Sequence, residues 1–237
     1  LPRTHELLNE IRGVPLPLRG LDLIFSGGLR TSADSSHVMS VTGNPGTGKT
    51  AFALAVAAAM APFGTITYYL SAEEDTADLS NRLSALTPPF LERLSFSRKN
   101  VGDWFIVETL ETDTTEAVAE LLRKVRVIAD NARHSSSNTE QPHVLPLLVI
   151  VDSVSELLNA YDWRKTVEEL TAFVRTCKEL RAMVILLAAE DDKNIERLGY
   201  LVYTVVNLKN QGTDLLTQKP TRIFRLLKTR QQASRTG

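Results

Sequence analysis

The chain has 237 residues, of which 43% are apolar and 23% charged, with a formal net charge of −1 and one cysteine. That balance excludes disorder as the main state, which needs few apolar residues and a high net charge. A chain of this length buries on the order of 70% of its unfolded surface without disulfides or metals. Cys177 alone can make neither an internal disulfide nor a CxxC site, which suits a reducing cytoplasm. No run of about 18 apolar residues is present to span a membrane. Near-neutrality argues against wholesale polyanion binding and leaves room for a local basic patch.

Short apolar runs alternate with helix-length amphipathic segments, the pattern of a mostly parallel sheet flanked by helices. Val38 to Thr42 reads as a buried strand, and Thr50 to Ala61, apolar nearly all round, as a buried helix ended before Pro62. Thr65 to Leu70 is β-branched and aromatic, a second strand. Asp75 to Leu86 follows as a helix closed by Pro88-Pro89, then a short strand from Trp104 to Val107. Val118, Leu121, Leu122, Val125 and Ile128 recur at helical spacing. The polar stretch from Asn131 to His143 reads as a surface loop.

Pro146 to Val151 is the most apolar strand and belongs in mid-sheet. Trp163 to Arg181 carries one apolar helical face, and Ala182 to Ala188 is the next strand. Beyond Gly199 two strand-like runs, Tyr200 to Leu208 and Arg222 to Leu227, join through a turn at Gln211-Gly212, which predicts an antiparallel C-terminal edge. One domain is expected, with 1–37 as an entry segment and 38–237 as the core. The chain opens on Leu1 without a methionine, so a piece of a longer, multidomain chain is the expectation.

Gly43-Asn44-Pro45-Gly46-Thr47-Gly48-Lys49-Thr50 satisfies GxxxxGK[ST] between a predicted strand and a predicted helix. Such a loop wraps phosphates with backbone N–H groups and needs glycines where a side chain would collide. Residues Gly43 to Ala51 are therefore the candidate nucleotide contacts. Lys49 reaches the β- and γ-phosphates, and the Thr50 hydroxyl coordinates Mg²⁺. Asp152, at the end of Leu147 to Val151, is the second metal-side group, acting through water. In the AAA+ class, which shares this loop, a glutamate follows that aspartate, but here Ser153 does. The base that orients water must come from elsewhere, and Glu73-Glu74, past the Thr65 to Leu70 strand, can face the same crevice. The competing reading is an acidic start to the next helix.

These residues resemble the RecA superfamily and, within it, the KaiC-like ATPases. The likeness runs from Gly20-Leu21-Asp22 and Gly27-Gly28-Leu29 through the phosphate loop and Glu73-Glu74. It continues through Val151-Asp152-Ser153-Val154 to Lys228-Thr229-Arg230, nearly the whole chain. The resemblance implies a RecA-like P-loop NTPase fold, ATP with Mg²⁺ as the cofactors, and catalytic roles for Glu73 and Glu74. It also implies that Lys228 and Arg230 reach the nucleotide of a neighbouring subunit in a homo-oligomer, a hexameric ring. Spaced two apart on a strand, those cations point to one side, and a cation supplied late stabilises phosphoryl transfer. Where KaiC has a glycine and then a histidine after the arginine, Gln231 and Ser234 stand here. Glu190 resembles the family's sensing position.

The expected function is ATP hydrolysis in a ring that regulates partner proteins. Two alternatives use the same pocket: a DNA-acting recombinase or ring helicase, and a slowly turning ATP-gated scaffold. DNA is the less favoured partner, because the stretch from Ser153 to Asp162 carries no cation.

Overall fold

Strands covered on both faces need no polar alternation, and the main sheet is built from such strands. The structure, a computed structural model, describes residues 13–14, 29–30, 37–61, 65–72, 74–86, 104–109, 119–120, 122–127, 147–155, 163–180, 182–190, 198–213 and 220–229. A short antiparallel pair, β1 (Gly13–Val14) and β2 (Leu29–Arg30), stands apart from the main sheet. The main sheet comprises β3 (Val38–Gly43), β4 (Ile66–Ser71), β5 (Phe105–Thr109), β6 (Leu147–Asp152), β7 (Ala182–Ala188), β8 (Thr204–Thr213) and β9 (Pro220–Thr229). Their spatial order is β5-β4-β6-β7-β3-β8-β9. All neighbours are parallel except β8 and β9.

Alternation along each strand divides the core into two layers. One set, including Met39, Val41, Tyr69, Ile150, Ile185, Leu187, Val206 and Leu208, packs under helices α1 (Lys49–Met60) and α2 (Thr76–Leu86). The other, including Val38, Tyr68, Val149, Val151, Val184 and Leu186, meets Leu170, Phe173, Val174 and Cys177 of α3 (Trp163–Glu179). Val125, in the helical residues 122–127, completes that layer. Helix α1 is apolar nearly all round because it lies across β3, β7 and β6 beneath the phosphate loop.

Two boundaries differ from the sequence pattern. Residues 198–201 form a helical turn in place of a strand, with Val202 N–H on Leu198 O at 3.2 Å, and β8 starts at Thr204. Leu198 and Val202 are both buried at a four-residue spacing, which is helical, while Tyr200 between them faces outward. Gln211 and Gly212 do not form the hairpin turn either. They lie inside β8, with Gln211 the extra residue of a bulge between Asn210 and Gly212. A second bulge is at Leu227, since Val206 pairs with Leu226 but Val205 with Lys228. The polar stretch 131–143 and the Gly20-Leu21-Asp22 and Gly27-Gly28 motifs lie outside the described residues.

Candidate nucleotide-binding site

In a parallel α/β sheet the crevice at the C-terminal strand ends receives the ligand, and the phosphate loop, Asp152 and Glu74 lie there. Gly43 ends β3, and a Cβ on it would fall 2.5 Å from Leu208 O and 2.6 Å from Thr47 Oγ1, so only glycine allows the loop to turn away. Gly48 precedes α1 at φ +95°, a left-handed conformation that favours glycine. Thr47 closes the loop on itself, its N–H and Oγ1 donating to Asn44 O at 3.2 and 2.8 Å. Lys49 lies across the same loop, with Nζ donating to Gly43 O at 2.8 Å and Asn44 O at 3.2 Å. Asn44, Pro45 and Gly46 are exposed at its tip, and Ala51 is exposed in the first turn of α1.

Asp152 ends β6, two strands from β3, or about 10 Å at ordinary strand spacing. Helix α1 bridges that gap. Thr50 in its first turn donates to Asp152 Oδ2 at 2.8 Å, and Asp152 is 6% exposed. The Tyr69 hydroxyl donates to the same oxygen at 2.5 Å. Burial first, and then the Asp152 charge, push the Tyr69 phenol far above its ordinary value, so it remains a donor. The peptide after Asp152 is cis. Ser155 further ties this segment to the end of β7 by accepting from Ala189 N–H at 2.8 Å.

Glu74 lies just past β4, its N–H donating to Ser71 Oγ at 2.8 Å and its carboxylate 3.1 Å from Arg82 of α2. The competing helix-start role falls instead to Asp75, which accepts from Asp78 N–H at 2.9 Å as the N-cap of α2. Ser71, to which Glu74 is tied, pairs with Asp152 in the β4–β6 ladder, so Glu74 shares the Asp152 side of the crevice. Glu73 lies outside the described residues. Glu190, past the end of β7, pairs with Lys209 of β8 at 2.7 Å. Because β3 runs between those strands, the ion pair spans the strand from which the phosphate loop leaves.

Lys228 is not at this crevice. It pairs with Val205, whose own partner is Ser40 near the start of β3, and its Nζ donates to Gly199 O. The Leu227 bulge also moves it to the α3 side of the sheet, opposite Val205, whereas Phe224 and Leu226 pack on the α1 side. Arg230 lies outside the described residues. One residue that sequence reasoning missed is Arg222. It pairs with Asn210, beyond the Leu208–Gly43 level, so it stands at the phosphate-loop end of β9. A Cβ on Gly48 would fall 2.9 Å from its Nη1, which places the guanidinium against the N-terminus of α1. The signal was present in the strand alternation: Phe224 contacts Phe52 of α1 at 5.9 Å, and two residues earlier on the same face comes Arg222.

The donor set suits Mg²⁺. Thr50 gives its proton to Asp152 and keeps its lone pairs for a hard cation. Among the described residues no three His, Cys, Asp or Glu converge. The crowding at Gly43 and the positive φ of Gly46 and Gly48 keep side chains out of the loop.

A GxxxxGK[ST] loop joined by Thr50 to a strand-end aspartate, on a parallel sheet with an antiparallel edge, defines a P-loop NTPase of the RecA superfamily. Within it the chain belongs to the KaiC ATPase family, whose model, described as "ATPase: KaiC", matches residues 14–237. Among solved structures it is similar to a KaiC-like protein, PH0186, from the hyperthermophilic archaeon Pyrococcus horikoshii OT3. That likeness has a TM-score of 0.68 at 18% identity, covering 96% of this chain and 93% of the other, and it concerns the fold. A search of curated proteins finds no match. Among the described residues no helix is long and apolar enough to cross a membrane.

Proposed function

We propose that this KaiC-family domain binds ATP with Mg²⁺ and hydrolyses it at the interfaces of a homo-oligomeric ring, and that the ring regulates partner proteins. The observation that carries the reading is the Thr50–Asp152 hydrogen bond. It joins the phosphate loop to the strand-end acid across 102 positions of sequence. In this reading Gly43 to Ala51 hold the phosphates through backbone N–H groups. Lys49 exchanges its loop carbonyls for phosphate oxygens. Thr50 ligates Mg²⁺, which when bound neutralises phosphate charge, and Asp152 supports Thr50. Glu74, with Glu73, orients the attacking water once it turns from Arg82.

The ring rests on the placement of Lys228. Arg222 and Lys228 are five ladder positions apart, about 17 Å along β9, and they face opposite sides of the sheet. That separation supports a part for Lys228 at a nucleotide held by another copy, and Arg230 is assigned the same part.

The experiment is a mixing test. Lys49→Ala and Lys228→Ala are each expected to lose ATP hydrolysis alone. Mixed, they form interfaces with an intact loop on one side and an intact Lys228 on the other, and a quarter to a half of the activity should return. Mass measurement with and without ATP accompanies it. A nucleotide-independent monomer, or no recovery on mixing, would refute the interfacial site and leave nucleotide binding by the loop standing.

A further inference from the structure

Tyr69 has more chemistry than its packing needs. Its ring lies in the α1-side core beside Phe105, with ring centroids 5.8 Å apart. Phe105 fills its share of that layer without a hydroxyl. The Tyr69 side chain is fully buried, and a buried hydroxyl needs a hydrogen-bond partner. The partner it takes is the strand-end acid of the site. Tyr69 stands opposite Ile150 in the β4–β6 pairing, and Asp152 lies two residues further on, on the same face. The phenol is long enough to span that step.

A carboxylate oxygen has two lone pairs. Both on Asp152 Oδ2 are occupied, one by Thr50 from α1 and one by Tyr69 from β4. That oxygen therefore serves a metal indirectly, by drawing the Thr50 proton toward itself so that the Thr50 lone pairs face outward. The carboxylate can do this only in one orientation, and Thr50 cannot set that orientation alone, since its own hydroxyl is the group being aimed. The second, rigidly mounted donor sets it.

We propose that the Tyr69 hydroxyl is the positioning group for divalent-metal binding at Thr50, acting through Asp152. The inference rests on the Mg²⁺-nucleotide reading above, and its test separates the two. Groups that orient a metal's ligands are typically worth 10–100-fold in metal affinity.

The test titrates Mg²⁺ into the full chain with a fluorescent ADP analogue at fixed concentration, so no turnover is needed. For the wild-type protein, nucleotide binding should tighten with Mg²⁺, and a flat titration would sink the Mg²⁺-nucleotide reading itself. Tyr69→Phe should raise the Mg²⁺ concentration for half-saturation about tenfold and leave metal-free nucleotide affinity unchanged. Tyr69→Leu, which also removes the ring, should lower thermal stability further without further loss of metal affinity. In an Asp152→Ala background Tyr69→Phe should have no additional effect. The proposal is overturned by an unchanged half-saturation point in Tyr69→Phe, by metal affinity that tracks stability across the two Tyr69 variants, or by additivity with Asp152→Ala.

Discussion

At the C-terminal ends of the parallel strands a buried carboxylate, Asp152, accepts two hydroxyl hydrogen bonds and faces a glycine-built loop. At the N-terminal ends a buried imidazole, His37, makes a 3.1 Å contact to Thr204 Oγ1 through Nε2, and its Nδ1 has no partner among the described residues. One buried polar group is surrounded by donors matched to its charge. The other is held in an environment that refuses a charge, its pKa pushed down to about 4 by burial. The strands that join them are the same strands. The difference comes from the neighbours at each end: at one, α1, whose first turn supplies Lys49 and Thr50, and at the other, apolar contacts with Tyr203.

The largest way to break the comparison is at the loop. Lys49→Ala should reduce ATP hydrolysis by about 100- to 1000-fold, the cost of removing one pre-organised donor to developing charge. Its melting temperature should stay near wild type, because Lys49 is on the surface of the loop and outside the core clusters. Calorimetry beside a phosphate-release assay checks both.

The opposite end is broken through pH. His37 binds fewer protons folded than unfolded between about pH 4 and 6.5, so its contribution to stability is full above pH 6.5 and is lost as pH falls toward 4. The loss is on the order of 3 kcal/mol. Denaturant midpoints across that window should fall less steeply for His37→Gln than for wild type, while nucleotide affinity at pH 7.5 stays the same. An equal slope in both proteins would show that His37 is not what sensitises this end to acid.

A smaller effect sharpens the boundary of the site. Arg222→Ala should weaken nucleotide binding about tenfold, equivalent to about 1.4 kcal/mol, with a fall in salt dependence and little change in stability. Unaltered affinity by calorimetric titration would place the Arg222 guanidinium outside the site. Smallest of all is the Glu190–Lys209 pair, both partly exposed. Lys209→Ala should cost no more than about 1 kcal/mol of stability, read from the same denaturant curves.

How much of this was legible in sequence depends on how local each signal is. The phosphate loop, Asp152 and the strands on either side of them were readable because each is a contiguous run with its own chemistry. Asp75 was legible only in part, since the sequence could not divide labour among Glu73, Glu74 and Asp75, and the cap hydrogen bond to Asp78 does so for two of them. Arg222 and Tyr69 were missed for a shared reason. Each reaches the site from a strand whose pattern reads as core or edge, and only the register, Asn210 with Arg222 and Tyr69 with Ile150, carries it there. The start of β8 was misread because Leu198 and Val202 suit a helical turn as well as they suit a strand.

The bulge at Leu227 has a consequence for the evolution of this edge. Side-chain direction in a strand has a period of two, and the bulge absorbs one residue so that those beyond it stay in step with β8. Deleting Leu227 would restore a plain ladder with Lys228 still opposite Val205 on the α3 side, directly after Leu226 on the α1 side. A single-codon change here would thus alter the path of the edge strand while leaving both the phosphate loop and the facing of Lys228 as they are.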